Sequence, residues 1–175
     1  MERLETVDPV ILPEDDVQKL IAATGTRHVA ALRSMMAGRW RLGELHGIHH
    51  WDRVLRNGLL LAGPDTDKMV IAYFAYIHDA CRENDFEDPF HGPRAAALID
   101  SLKADWLGEL TEEQILILKK AVEGHTALLR TGDPTVDTCF DADRLDLLRA
   151  YISPDPARMA SPRGAEFARQ IQDTL

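Results

Sequence analysis

Apolar residues recur along most of this chain at the three- and four-residue spacing of a helix face, and no strict alternation competes with it. Val17, Leu20 and Ile21 follow Pro13-Glu14-Asp15-Asp16, a proline and three acids suited to a helix N-terminus. Gly25 interrupts that helix, and Arg27 to Ala37 carries a second apolar stripe. From His49 to Ala62, Trp51, Val54, Leu55 and Leu59 share one side, and Gly63-Pro64 ends the segment. Met69 to Ile77 is an unbroken apolar run that predicts a buried helix reaching His78, capped by Asp65, Thr66 or Asp67.

Residues 81–90 predict a polar, acidic loop, followed by a helix from His91 to Lys103. Thr111-Glu112-Glu113-Gln114 is a capping box opening a helix through Ile115, Leu118 and Val122 toward Leu129. Residues 131–138 (TGDPTVDT) predict a turn-rich loop, Phe140 to Ile152 an amphipathic helix, and Ser161-Pro162 the start of a short last helix. The pattern predicts an all-α, single-domain helical bundle without internal repeats.

Composition narrows the partners. The net charge is −9, whereas nucleic-acid and anionic-membrane binders carry a basic footprint, so neither partner is expected. A small phosphorylated substrate remains compatible, since local arginines or a metal can hold one. The opening MERLETVDPV lacks a signal-peptide apolar stretch, and a cytoplasmic protein is the expectation. Cys81 and Cys139 form no paired zinc motif and are expected to be reduced thiols.

The polar residues next to these helices suggest metal chemistry. His50 lies near the start of one helix, His78-Asp79 ends the next, and Asp143 sits on a later one. Two imidazoles and two carboxylates suit Mn²⁺, Fe²⁺, Co²⁺, Ni²⁺ or Mg²⁺. A helix C-terminus, carrying partial negative charge, is a favourable place to present a cation. His46 and His49 compete with His50 for the first position, and Asp141 and Asp146 compete with Asp143.

"HGIHHWDRV", "HDACREND", "DPFHGPRAA" and "DADRLDLLR" resemble, in order, segments of a bacterial group within the HD superfamily of metal-dependent phosphohydrolases. The resemblance implies an HD-type domain over the whole chain 1–175, with a core of about 46–155, N-terminal helices in 1–45 and a C-terminal helix in 156–175. It selects His50, which directly precedes Trp-x-Arg-Val, and Asp143, which directly precedes Arg-Leu. Asp141 is then expected to cap its helix or lie next to the ligands, and Asp146 to be a solvated or ion-paired residue. Asp79 resembles the family ligand that also orients an attacking water.

Two departures stand out. Arg82 occupies the position where HD 5′-deoxynucleotidases carry an acid, and of the two successive acids of alarmone hydrolases only Glu83 remains. Glu83 and His91 are the candidate acid–base groups beside Asp79, and Arg82 and Arg94 the candidate phosphate holders. His91 and His125 also fall in the order H…HD…H…H…D of HD proteins with a second metal.

The resemblance implies a divalent-metal-dependent phosphohydrolase acting on a nucleotide or other small phosphoester or phosphodiester through a metal-activated water. The alternatives are a mixed-valent di-iron oxygenase and a non-catalytic, metal-stabilised nucleotide-binding module.

Overall fold

The computed structural model describes residues 9–175; the first eight residues of the expected N-terminal region lie outside this range. The described residues form eight α-helices and no strand: α1 (Glu14–Ala23), α2 (Val29–Arg39), α3 (Ile48–Leu61), α4 (Lys68–Ile77), α5 (His91–Leu102), α6 (Glu112–Gly124), α7 (Pro134–Arg144) and α8 (Pro162–Gln172). Three short 3₁₀ segments, Glu44–His46, Leu145–Ala150 and Pro156–Arg158, join them.

The bundle is built around α4. The Asp67 side chain accepts from the Met69 and Val70 amides at its start, and every residue from Val70 to Ile77 is fully buried. Each large apolar side chain so buried contributes about 1.5–3 kcal/mol. Helices α2, α3, α6 and α7 pack around it, and α5 packs on α6. Close approach depends on glycine at two positions. A Cβ on Gly58 would lie 2.5 Å from Ile71 where α3 meets α4, and one on Gly92 would lie 2.9 Å from the Val122 and Glu123 carbonyl oxygens. The start of α5 is thereby held against the end of α6.

The capping box at Thr111 forms as expected, with Thr111 and Gln114 bonding reciprocally. Three expectations need correction. Residues 134–138 are helical: Asp133 caps α7 by accepting from the Thr135 and Val136 amides, with Pro134 in the first turn. The turn-like composition of that stretch encodes a cap rather than a loop. The helix also stops at Arg144, giving way to a 3₁₀ segment that ends on Tyr151 in the left-handed region (φ 59°). In addition, α6 ends at Gly124, leaving Leu129 about half exposed.

A small apolar cluster of Leu61, Leu145, Met159, Ala168 and Ile171 docks α8. Asp141 reinforces this contact instead of capping its own helix. It accepts from the Ala160 and Ser161 amides and the Ser161 hydroxyl, at 2.6–2.9 Å. None of the described helices is long and apolar enough to cross a membrane.

Candidate metal centre

Five helices deliver six side chains to one place beside the end of α4. His50 comes from the first turn of α3, and His78 and Asp79 follow α4 directly. His91 opens α5, His125 follows α6, and Asp143 lies one residue before the end of α7. Five of the six are at most 3% exposed, and the Asp143 side chain is 17% exposed. Three helix C-termini thus point their partial negative charge toward the cluster.

The donors divide into two groups that share Asp79. On one side His50 Nε2 lies 3.2 Å from His78 Nε2, 3.3 Å from Asp143 Oδ1 and 3.4 Å from Asp79 Oδ2. On the other, Asp79 Oδ1 lies 3.1 Å from His91 Nε2 and 3.6 Å from His125 Nε2, and those two nitrogens are 2.9 Å apart. The two oxygens of one carboxylate therefore face two separate histidine pairs.

The hydrogen bonds on the far side of each ring explain why these nitrogens converge. His78 Nδ1 donates to the Phe74 and Ala75 carbonyls, both at 3.1 Å, and His125 Nδ1 to the Val122 carbonyl at 2.7 Å. His91 Nδ1 donates to the Asp88 carbonyl. A carbonyl oxygen only accepts, so Nδ1 carries the proton in each of these rings and the neutral ring presents a lone pair at Nε2. His50 is fixed in the same way by Asp146 Oδ2 at 2.7 Å, and Asp146 is itself held by Arg53 Nε at 2.7 Å.

Lone pairs facing one another across 2.9–3.2 Å repel unless a cation or an added proton lies between them. Metal–nitrogen and metal–oxygen bonds of about 2.0–2.2 Å place the donors around one ion about 3.0–3.5 Å apart. The observed spacings fit that requirement on both sides of Asp79. The His78 ring also stacks on Phe74, which holds it in place.

Without an ion, a proton relieves the conflict. Burial and Arg149 push the His50 pKa down, but hydrogen bonds to Asp143, Asp146 and Asp79 outweigh them and raise it to about 9. Burial drives His78 down to about 3, so that ring stays neutral. Although burial opposes it, the surrounding imidazoles hold the Asp79 carboxyl well below the usual carboxylate range. Asp143 is likewise held low against burial, by His50, His78 and Arg149. Both carboxylates are ionised, and His50 carries a proton where a cation would lie.

Other candidates lie at varied distances from this centre. Arg82 Nε is 3.1 Å from Asp79 Oδ1, and its Nη1 donates to the Asn84 and Phe86 carbonyls. Arg94 binds the Cys81 carbonyl and Asp88, fastening the 81–90 loop to α5. The Glu83 side chain is 73% exposed and 3.7 Å from Arg94, so neither residue is brought into the donor cluster. His46, the rival of His50, lies 3.1 Å from Asp79 Oδ2 through Nδ1. His49 is partly exposed and faces Glu44 at 3.6 Å. Cys81 and Cys139 are free thiols whose pKa values burial raises, which suits neither to be a nucleophile.

Of the two expectations for Asp146, the ion-paired one holds: it is fully buried between His50 and Arg53 rather than solvated; its position three residues after Asp143 was the available signal. Arg149 carried no signal in the sequence. Its Nη2 reaches 3.5 Å from His46 Nδ1 and 4.0 Å from Asp143 Oδ1, while Nε and Nη1 bind the Leu45 and Asp146 carbonyls. Beside His91 a cleft of about 380 Å³ opens between Arg82, Asp88, Pro89 and Thr126.

Comparison with protein-family models, curated proteins and solved structures finds no match. The chain is an all-helical domain in which buried histidine and aspartate groups can hold one metal ion or two.

Proposed function

We propose that the chain is an HD-type divalent-metal phosphohydrolase whose two ions share Asp79, and that its substrate is a nucleotide or another small phosphoester. The observation that carries this reading is the pair of buried histidine groups, each turned Nε2-first toward a different oxygen of Asp79. His50, His78, Asp79 and Asp143 would hold one ion, and Asp79, His91 and His125 the other. When bound, the ions would supply Lewis acidity and a water of lowered pKa.

The protein's own groups favour an anionic substrate. Two carboxylates against two dications leave the centre positive, and Arg82 and Arg149 add guanidinium charge on either side of it. The cleft beside His91 offers a route for a phosphoryl group, which Arg82 can bind in its planar fork. His91 is fixed by the Asp88 carbonyl, so its role is to hold an ion rather than to move a proton. Arg94 and Glu83, paired on the surface, act through the loop they anchor.

The six-donor set also favours a second reading, a mixed-valent di-iron oxygenase. Metal analysis of protein purified without added metal, followed by a phosphate-release screen with Mn²⁺ under anaerobic conditions, separates the two. Phosphate release supports the hydrolase. Iron near two equivalents with oxygen uptake, and no phosphate release, supports the oxygenase. Asp79→Ala should abolish turnover and lower metal content, and parental turnover in that variant would refute both readings.

A further inference from the structure

A second cleft, sharing no lining residue with the one beside His91, is walled in part by Arg53 and Arg149, which contact Asp146 and Asp143. It has a volume of about 460 Å³, within the usual range of small-molecule sites, about 300–1,000 Å³. Its walls combine two kinds of chemistry. Ile11, Leu148 and Tyr151 supply apolar surface, with Ile11 67% and Tyr151 99% exposed. Arg53 and Arg149 supply guanidinium groups. Glu44 also lines the cleft, facing His49.

Arg53 is only 4% exposed. Its Nε donates to Asp146 and its Nη1 to the Val10 carbonyl, whereas Nη2 has no hydrogen-bond partner among the described residues. A buried guanidinium with a donor to spare, lining a cleft with exposed apolar walls, calls for an anionic oxygen attached to an apolar body. Both arginines also bind Asp146, Arg53 through a carboxylate oxygen and Arg149 through the backbone carbonyl. The other carboxylate oxygen of Asp146 fixes the His50 ring.

We propose that this cleft binds a small amphiphilic anion, with its carboxylate or phosphate head on Arg53 and Arg149 and its apolar body against Ile11, Leu148 and Tyr151, and that its occupancy is felt at the metal centre through Asp146. The site is distinct from the cleft beside His91 and does not depend on which reaction the centre performs. By linkage, whatever factor the anion applies to metal affinity, the metal applies to the anion's affinity.

The test is calorimetric titration of the full chain with octanoate and phenyl phosphate, using acetate and inorganic phosphate as head-only controls. At least one amphiphile should bind about tenfold more tightly than its own head group, and Ile11→Asp should weaken it about tenfold by placing a repelling carboxylate at the rim. Tyr151→Ser, at a fully exposed position, should weaken it as well. Binding of octanoate alone assigns a carboxylate head, and binding of phenyl phosphate alone a phosphate head. The proposal is overturned if neither exceeds its control, or if both variants bind as the parent does. Repeating the titration with Mn²⁺ and after chelation tests the link to the metal centre: different affinities support it, and identical ones remove it.

Discussion

Loading the His50 side of the centre with a divalent ion should expel one proton at neutral pH. Asp79 and Asp143 are already ionised in the metal-free protein and have none to give. His78, lowered to about 3, is already neutral. Only His50, raised to about 9, must lose a proton before its Nε2 can bind an ion. At pH 7 roughly 1% of it is in that form, so apparent affinity should be about 100-fold below its alkaline limit and rise about tenfold per pH unit. Calorimetric titration with Mn²⁺ in buffers of different ionisation enthalpy counts the protons directly. About one should leave with this ion. No proton release, with an affinity constant between pH 7 and 8.5, would refute the reading that His50 in the metal-free protein carries a second proton, on Nε2.

The same proton should shape the stability of the metal-free protein. Because His50 is raised from 6.5 to about 9 on folding, its contribution is present in full below pH 6.5 and lost as pH rises through 9. Melting of chelated protein should therefore move to lower temperature across that window, as stability falls by about 1.4 kcal/mol per pH unit. Asp146→Asn should weaken metal binding on the His50 side by about 10–100-fold in competition with a chelator, since it removes the carboxylate that fixes the ring. Gly92→Ala should cost about 1–3 kcal/mol and lower the bound Mn²⁺ by about one equivalent, because the added Cβ pushes His91 away from His125. Thermal melts and metal analysis of the purified variant check both effects.

The helical architecture was legible because α4 and α6 are encoded locally, one by an apolar run behind Asp67 and the other by the Thr111 box. The start of α7 was misread because Asp133-Pro134 signals a turn and a helix cap with the same residues. Within the centre, His78, His91 and His125 take their orientation from carbonyls three or four residues earlier, so short-range sequence contains most of what places them. His50 differs, relying on Asp146 96 positions away, and only the three-residue spacing of Asp146 from Asp143 hints at that pairing. Arg149 reaches the centre from a 3₁₀ segment where a continuous α-helix was expected, so its direction could not be read from helical spacing. Glu83 sits in the right order along the chain, but its carboxylate turns outward to Arg94.

Five helices meet at the donor cluster, whereas α1, α2 and α8 contribute no donor to it. An ion seated there would act as a cross-link joining segments from residue 50 to residue 143, closing several long loops at one knot. Stripping it should loosen the middle of the chain before its ends. Amide exchange would then quicken first in α5 and the end of α6, the reverse of the fraying from the termini that most small helical domains show.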